Sequence, residues 1–422
     1  MPDLSGAPKL KQLILQRCIR LSKIHGSLRN LKCLIRLDLS GCKCLESLPE
    51  NLGNIRCLEE LDVSETAITE LPSSFVFLEN LKVLSLKGLS SISSNKFFSF
   101  PLILERRVDP MDILARTLSN LWSLTELDLS YCNLQAIPDS LGCLSSLKRL
   151  NLNGNNFVCL PESTTQLSNL RYLRLCDCTH LRSLPELPSN IGYIDAHGCA
   201  SLEILPLRAE HGPYPDLDLL GCDILINNED YHDMLLANIR YRIIMFQANP
   251  YRWSIIPGSE IPKWFRHQSE GTSVNLQLPS DKLEEIALCA VFVLHGEYIP
   301  VLDITWYFKA NGDQSRRGIC PYNLWEQFGQ IESYYLFFRY EIFTPKMKEN
   351  WIQDANGLVQ IEFGYEIEGT GIKGTKCGAH LVLEQDIEDL EQILCGCSSS
   401  SRCSITPYED DLEDSAKDTK TK

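Results

Sequence analysis

One spacing governs the first half of the chain, where leucines recur in the pattern Leu-x-x-Leu-x-Leu. The pattern begins at Leu10, Leu34, Leu58, Leu81, Leu124, Leu147, Leu170 and, more loosely, at Ile191. Successive units therefore start 24, 24, 23, 43, 23, 23 and 21 residues apart. A period of about 20 to 29 residues with this signature is typical of leucine-rich repeats, in which each unit adds one short strand to a stack. One unit cannot bury its own apolar face, so we predict a solenoid of about eight repeats.

A small polar residue follows each predicted strand at a fixed distance. The position is held by Cys18, Cys42, Thr66, Cys132, Asn155, Cys178 and Cys199. We expect these side chains to hydrogen-bond to backbone groups inside the coil. They account for five of the 18 cysteines, and pairs such as Cys176-x-Cys178 lack the Cys-x-x-Cys spacing of zinc and redox motifs. We therefore predict no metal site and no cofactor.

The double spacing between Leu81 and Leu124 leaves two interpretations open. The intervening segment, Ser90–Asn120, starts with serines and ends with a candidate helix at Met111–Leu121. It is either a degenerate repeat or a loop inserted into the solenoid, and long insertions of this kind often serve binding.

Between the buried leucines, alternate side chains of each strand are predicted to face solvent on the concave side, aligned from repeat to repeat. This face mixes both signs of charge, with an acidic middle and a C-terminal end that carries Arg and Tyr, the common anchors of protein interfaces. We predict a partner-binding surface with candidate contacts at Gln12, Arg36, Glu60, Lys87, Glu126, Arg149, Tyr172, Arg174 and Tyr193. The alternative is a solvated face that binds nothing at most of these positions.

The character of the chain changes after Pro206, where the leucine pattern stops, and five of the six tryptophans lie beyond residue 250. Segments rich in β-branched and aromatic residues predict at least six strands, at Ser273–Leu278, Ile286–Leu294, Val301–Phe308, Tyr334–Phe343, Leu358–Ile367 and Ala379–Glu384. Helix signals are few, so a β-sandwich is expected. The predicted fold class is an α/β leucine-rich-repeat solenoid, with parallel strands on its concave face, followed by an all-β jelly-roll or Ig-like sandwich.

The predicted domain organisation has four parts. Repeats occupy residues 1–206, with the insertion at 90–120, and a cap and linker with an amphipathic helix candidate at Tyr231–Phe246 occupies 207–250. The β-sandwich occupies 251–394, and its predicted loop Asn311–Cys320 offers Arg316 and Arg317 as further partner contacts. Residues 395–422 are predicted to be a disordered acidic tail, because they hold too few apolar residues to fold.

A motif at the start of the second domain carries a family resemblance. Residues 253–271 have the sequence Trp-Ser-Ile-Ile-Pro-Gly-Ser-Glu-Ile-Pro-Lys-Trp-Phe-Arg-His-Gln-Ser-Glu-Gly. This closely resembles the opening of C-JID, the jelly-roll/Ig-like domain that follows the repeats of plant TIR-type nucleotide-binding leucine-rich-repeat (TNL) immune receptors, and Cys377–Asp386 resembles its end. The resemblance covers about residues 1–394. The motif residues are expected to be mainly structural: Trp253, Pro257, Gly258, Ser259, Glu260, Ile261, Pro262, Trp264, Phe265, Gln268 and Gly271.

The resemblance implies a function in plant innate immunity. In that family the repeats and the β-sandwich together recognise a pathogen effector, and recognition activates an NAD-cleaving TIR domain. This sequence contains no TIR domain, so NAD hydrolysis is not expected of it, and it has no nucleotide-binding domain with a Gly-x-x-x-x-Gly-Lys-Ser/Thr loop, so ATP binding is not expected either. The resemblance thus predicts a non-catalytic recognition module for a protein partner. The alternative is a stand-alone truncated paralogue that acts as a scaffold, decoy or regulator of another immune receptor.

Two short motifs resemble cofactor-binding or catalytic motifs but lack the structural context that such motifs require. Gly369-Thr-Gly371-Ile-Lys-Gly374 matches the letters of a dinucleotide fingerprint, yet a strand rather than a helix is predicted after it, so we expect a turn between strands. His267–Gly271 lacks the first glycine of a nucleophile elbow and is predicted to be a loop. No nucleophile can be paired with a base, so we predict that the chain is not an enzyme.

Charge and composition restrict the partners. The 422 residues carry 40 Lys and Arg against 55 Asp and Glu, a formal charge of −15. Such a balance repels phosphate groups, so neither nucleic acid nor a membrane surface is predicted as a partner. No small-molecule substrate is predicted either, because the sequence shows no catalytic constellation. Met1–Lys11 has no apolar stretch of signal-peptide length, and the longest apolar run, Ile286–Leu294, is too short to span a bilayer. We therefore expect an intracellular protein, cytoplasmic or nuclear.

Overall fold

The computed structural model divides into two units, Met1–Leu383 and Glu384–Lys422. It describes residues 3–89, 110–206, 215–227, 234–241, 253–279, 285–294, 302–310, 313–322, 333–343, 353–354, 356–368, 372–383 and 386. For residues 110–113, 302–303, 313–322 and 368 it describes the backbone alone. The predicted acidic tail lies outside the described residues.

Nine short parallel strands form the repeat region. They are β1 Gln12–Ile14, β2 Arg36–Asp38, β3 Glu60–Asp62, β4 Val83–Ser85, β5 Glu126–Asp128, β6 Arg149–Asn151, β7 Tyr172–Arg174, β8 Tyr193–Asp195 and β9 Asp216–Asp218. Each strand pairs with the next in sequence order. The first eight lie at the predicted positions. The ninth lies beyond Pro206, in a segment where Tyr214 replaces the first leucine of the pattern but Leu217, Leu219 and Cys222 keep the rest.

In several repeats the chain returns from one strand toward the next through a short 3₁₀ turn. These turns span Gly26–Asn30, Leu52–Asn54, Ser73–Phe77, Asp139–Cys143 and Glu162–Gln166. A further 3₁₀ turn, Asp223–Asn227, follows shortly after β9. Between β4 and β5, helix α1 (Pro110–Leu118) takes the place of such a turn. Strand β4 pairs directly with β5, so the long spacing between Leu81 and Leu124 is an insertion and adds no strand between them. The candidate helix is therefore confirmed, and residues 90–109 lie outside the described residues.

The leucines of the repeats form the core, and the polar position after each strand holds the coils together. Leu37, Leu61 and Leu127 are almost completely buried. The buried thiol of Cys42 donates to the Leu15 carbonyl of the preceding repeat at 3.1 Å, and Cys132, Cys178, Cys199 and Cys222 make equivalent bonds. The predicted inward hydrogen bonding of this position is confirmed for these residues, whereas Cys18 of the first repeat is exposed.

The second half of the first unit is a β-sandwich. Its strands are β10 Trp253–Pro257, β11 His267–Glu270, β12 Ser273–Pro279, β13 Glu285–Leu294, β14 Leu302–Ala310, β15 Asp313–Tyr322, β16 Ser333–Ile342, β17 Leu358–Glu368 and β18 Ile372–Leu381. One sheet has the order β10-β16-β13-β18-β11, and the other β12-β17-β14-β15. Buried aromatic side chains from both sheets meet in the core, among them Phe292, Trp306, Phe308, Tyr335 and Phe363.

Five of the six predicted strands are present and the sixth, Ala379–Glu384, overlaps only the end of a strand, Ile372–Leu381, whereas two predicted loops are wrong. His267–Gly271 was expected to be a loop and contains strand β11, and Asn311–Cys320 contains most of strand β15. Both strands lie at sheet edges and pair with one neighbour each. An edge strand has less need of an apolar face, so its sequence carries a weaker strand signal. The second half of the predicted turn at Gly369–Gly374 is strand, because β18 already begins at Ile372, and residues 369–371 lie outside the described residues.

The solenoid and the sandwich share one sheet. Strand β9 of the last repeat pairs in parallel with β10, with Ile255 opposite Asp218, so 14 strands form a continuous sheet. A buried Tyr335 reinforces the junction: its hydroxyl accepts a hydrogen bond from the Gly221 amide at 3.1 Å and donates one to Asp223 Oδ1 at 2.5 Å. Between β9 and β10, residues 234–241 form helix α2, inside the predicted Tyr231–Phe246 segment.

Candidate partner-binding surface

The concave face of the solenoid presents rows of side chains from neighbouring strands. In strands β2 to β8 the middle residue is a buried Leu or Ile, so the residues before and after it point away from the core. The parallel register places Arg36 beside Glu60, and Glu126, Arg149 and Tyr172 side by side. The sequence-predicted candidates on these strands are thus brought together on one surface.

Ion pairs and ring contacts connect these candidates across the repeats. An Nη atom of Arg36 lies 3.3 Å from a carboxylate oxygen of Glu60, and Arg149 lies 2.7 Å from Glu126. The Arg149 guanidinium also stands 5.2 Å from the centroid of the Tyr172 ring. Each of the four charged side chains in these pairs remains at least 40% exposed, so the pairs stay available to a partner and contribute little to stability by themselves.

The acidic row in the middle of this surface has a structural role that the sequence analysis did not foresee. Asp62 Oδ1 accepts the backbone N–H of Ser64 at 2.9 Å, and Asp128 Oδ1 accepts that of Ser130 at 2.8 Å. Asp38 receives the Ser40 amide and hydroxyl and the Gln16 side-chain amide. Burial raises the pKa of Asp38, but these hydrogen bonds outweigh it and hold the pKa below its ordinary value. These carboxylates are therefore engaged in the turns of their own chain.

The remaining candidates of the repeats differ in accessibility. Gln12 and Arg174 are exposed, and Tyr172 is 38% exposed. Lys87 lies 3.7 Å from Glu65 on the edge of the concave face. Tyr193 is only partly exposed, and burial together with nearby carboxylates raises the pKa of its hydroxyl. Tyr172 and Arg174 at the ends of β7 are therefore an exposed aromatic and cationic pair.

A polar cluster next to this pair was not predicted. Cys176, Asp195 and His197 each contribute one ligand-type atom, and these atoms all lie within 4.8 Å of one another. His197 Nδ1 lies 2.7 Å from Asp195 Oδ1. The three residues belong to consecutive repeats, at the third strand position or two residues beyond it. Aligning the repeats by strand position would have found them, whereas a search for closely spaced Cys and His motifs cannot.

The candidates Arg316 and Arg317 lie in strand β15 rather than in a loop. They stand opposite Phe308 and Tyr307 of β14. Strand β15 forms the outer edge of its sheet. Their side chains lie outside the described atoms, so their role in partner binding remains a prediction.

The motif residues of 253–271 pack inside the sandwich or hold its first loop. Phe265 and Ile261 are buried, and the Trp264 ring stacks 4.2 Å from that of Phe265. Gln268 Nε2 donates to the carbonyls of Pro262 and Phe265 at 3.2 and 2.9 Å. Trp253, Pro257, Gly258, Ser259, Glu260 and Gly271 lie on or beside strands β10 and β11. These contacts fit the structural role expected for the motif.

Comparison with known protein families assigns both halves of the chain. Residues 122–181 and 33–55 match models of the leucine-rich repeat, and residues 256–388 match the C-JID domain. The chain carries leucine-rich repeats followed by a C-JID domain. Disease resistance-like protein DSC1 of Arabidopsis thaliana is 37% identical over 64% of this chain. TMV resistance protein N of Nicotiana glutinosa is 33% identical over 69%. The chain thus corresponds to the repeat and C-JID part of TIR-NB-LRR resistance proteins.

The chain spans only part of the length of these related proteins. The chain covers 22% of the length of DSC1 and 25% of that of protein N. Among solved structures, the leucine-rich repeat domain of the type III effector XopL is 21% identical over 52% of this chain and 72% of its own, with a TM-score of 0.40. In the described part of the chain, no helix is long and apolar enough to cross a membrane.

Proposed function

We propose that this chain is a non-catalytic recognition module of plant immunity, which contacts a pathogen effector through the concave repeat face together with the C-JID domain. The supporting observation is the row formed by Glu126, Arg149 and Tyr172, with Arg174 exposed at the other end of the strand that carries Tyr172. Arg and Tyr side chains dominate the binding energy of many protein interfaces. Homology to plant resistance proteins supports an immune role.

The continuous sheet supports joint recognition by both domains. Because β9 pairs with β10, the C-JID domain is held at a fixed position relative to the last repeats. A partner that contacts Tyr172 and Arg174 therefore meets a preorganised surface, and preorganisation lowers the entropic cost of binding.

The test is capture of a partner from infected plant tissue by the purified chain and by the double variant Tyr172→Ala/Arg174→Ala. We expect the double variant to bind at least about tenfold more weakly, as for interface anchors of these types, while its thermal unfolding stays unchanged. A matched control, Phe77→Ala/Arg29→Ala, removes an exposed ring and a guanidinium from the 3₁₀ turns on the other side. Equal binding by all three proteins would contradict the proposal.

The same experiment separates the effector sensor from the regulatory scaffold. Capture that requires infection, or a purified effector added to healthy extract, supports effector recognition. Constitutive capture of another immune receptor from healthy tissue supports the scaffold instead and overturns effector sensing.

A further inference from the structure

The polar cluster at the C-terminal end of the concave face has the composition of a transition-metal site. It combines a thiol (Cys176), an imidazole (His197) and a carboxylate (Asp195), with their ligand atoms within 4.8 Å of one another. Cys176 is 3% exposed and Asp195 9% exposed, whereas most surface acidic groups are fully hydrated. Sulfur and nitrogen ligands favour Zn²⁺ over Ca²⁺ or Mg²⁺, which prefer oxygen.

The backbone holds the three ligands in place. The amide of Leu175 donates to the Asp195 carbonyl at 2.7 Å, and the amide of Asp177 donates to the His197 carbonyl at 2.9 Å. The amide of Cys176 itself donates to Asn153 Oδ1 at 2.9 Å. These bonds fix the turns from which the side chains project, so metal binding requires side-chain rotation and no refolding.

The electrostatic surroundings favour a cation. The carboxylates of Asp195, Asp218 and Asp177 all lie near the buried Cys176 thiol. The His197 ring is hydrogen-bonded to Asp195, and the Arg174 guanidinium acts on the same carboxylate. Deprotonating the thiol without a cation would add a further negative charge to a buried acidic region. A bound divalent ion removes that penalty, because it stabilises the thiolate directly.

We propose that Cys176, Asp195 and His197 form a zinc site at the C-terminal end of the concave face. Zn²⁺ displaces the thiol proton of Cys176 and the second ring proton of a protonated His197, both of which pass to solvent, and binds the resulting thiolate, one imidazole nitrogen of His197 and one carboxylate oxygen of Asp195. Neighbouring ligand atoms around tetrahedral zinc lie about 3.3 to 3.6 Å apart. The ligand atoms, which all lie within 4.8 Å of one another, therefore need only small side-chain shifts. A water molecule completes the coordination, as at three-ligand zinc sites.

The site is tested by titrating Co²⁺, a spectroscopic substitute for zinc, into the full chain after treatment with a chelator. We expect one equivalent to produce a thiolate-to-cobalt charge-transfer band, which added Zn²⁺ abolishes. Cys176→Ser should remove this band and weaken binding by about 100-fold or more, because even residues that merely support ligands change metal affinity by about 10 to 100-fold. His197→Gln should weaken binding to a similar extent.

Controls distinguish this site from the other thiols of the chain. Cys159→Ser alters an exposed cysteine outside the cluster and should leave the titration unchanged. Circular dichroism and urea unfolding in the presence of chelator establish that each variant is folded. If Cys176→Ser does not fold, the partly exposed His197→Gln variant decides. A wild-type chain that shows no such band, or a folded Cys176→Ser or His197→Gln variant that binds cobalt as the wild type does, would overturn the proposal.

Discussion

At the scale of single residues, the solenoid depends on one unusual backbone conformation per repeat. In each of the nine described repeat turns, the residue three positions after the strand has a positive φ. Five of these residues are glycines (Gly41, Gly88, Gly154, Gly198 and Gly221), and four are Arg17, Glu65, Tyr131 and Asp177. A residue with a side chain loses about 1 to 2 kcal/mol in this conformation. The glycines therefore remove a strain that the other four repeats retain.

Gly154→Ala should be destabilising for two reasons. Gly154 has a φ of 64°, and a β-carbon built on it would lie 2.3 Å from Cδ1 of Tyr131. Together we expect a loss of about 2 to 4 kcal/mol in the free energy of unfolding, measured with urea. The double variant Gly154→Ala/Tyr131→Ala removes the clash and should be less destabilised than the sum of its single variants. If the free-energy changes of the two single variants simply add in the double variant, the Tyr131 ring does not constrain Gly154.

Asp38 should make the repeats sensitive to acid. Its pKa in the folded chain is below the ordinary 3.8 because Ser40, Gln16 and Arg36 donate hydrogen bonds to it, despite an opposing effect of burial. A carboxyl with a lowered pKa stabilises the fold at pH values above 3.8, and this contribution is lost as the pH falls through the lower, folded value. Asp38→Asn should therefore be less stable than wild type at pH 7, and the difference should shrink toward pH 2. Urea unfolding across this range measures it, and a constant difference would contradict the linkage.

At the scale of the element, one strand and its turn form a unit that is completed by the neighbouring repeat. The polar position after each strand shows how one repeat depends on the next. Asn155 occupies the place that Cys132 and Cys178 hold in adjacent repeats, and its side-chain amide donates to the carbonyls of Leu129 and Leu152 at 2.9 and 2.7 Å. A coil cannot satisfy these buried groups by itself, which is why stability spreads along the stack.

Replacing Asn155 should show how much the hydrogen bonds of this position contribute to the free energy of unfolding. Asn155→Ala leaves the Leu129 carbonyl and the Leu134 amide without their present partner, which should cost about 2 to 4 kcal/mol. Asn155→Cys keeps a donor toward Leu129, as the natural cysteines do, and should recover part of the loss. Urea denaturation of both variants provides the comparison. An Ala variant as stable as the Cys variant would mean that packing, and not hydrogen bonding, matters at this position.

At the scale of the whole molecule, the shared sheet joins the last repeats to the C-JID domain. The Leu219 amide donates to the Ile255 carbonyl at 2.9 Å, and Tyr335 connects Gly221 with Asp223 across the same junction. Burial and the Asp223 carboxylate raise the pKa of the Tyr335 hydroxyl, so it remains a hydrogen-bond donor at physiological pH. We expect the C-terminal repeats and the C-JID domain to unfold together.

Tyr335→Phe tests this coupling. It removes only the hydroxyl and leaves the ring in the sandwich core, so it should cost about 1 to 3 kcal/mol through the unsatisfied Gly221 amide and Asp223. Hydrogen exchange should accelerate at Leu219 and Gly221 and spread into the last repeats. Tyr307→Phe removes a hydroxyl bound to Glu362 on the other sheet and serves as the control. Equal exchange at the junction in both variants would mean that Tyr335 does not couple the two parts.

The sequence predicted the recognition surface only in part. Strand spacing placed Arg149, Tyr172 and Arg174 on one face, because the period of the leucines fixes which residues point inward. It did not show that the Asp62 and Asp128 carboxylates accept hydrogen bonds from the turns that follow them, because the charge pattern of a sequence does not reveal local hydrogen bonds. Nor did it bring Cys176 and His197 together, because they lie 21 residues apart and meet only through strand register.

The sequence by itself determined the repeats and most strands of the C-JID domain, because burying an apolar face imposes a period that each short segment carries on its own. Tertiary structure revealed the ninth repeat strand, whose pattern lacks its first leucine, and alone decided the edge strands β11 and β15, whose backbones are positioned by neighbours rather than by their own side chains. It also decided the pairing of β9 with β10, and with it the junction at Tyr335. The Tyr335 contacts join segments more than 100 residues apart in the chain, and both features depend on how whole elements pack, which no local pattern encodes.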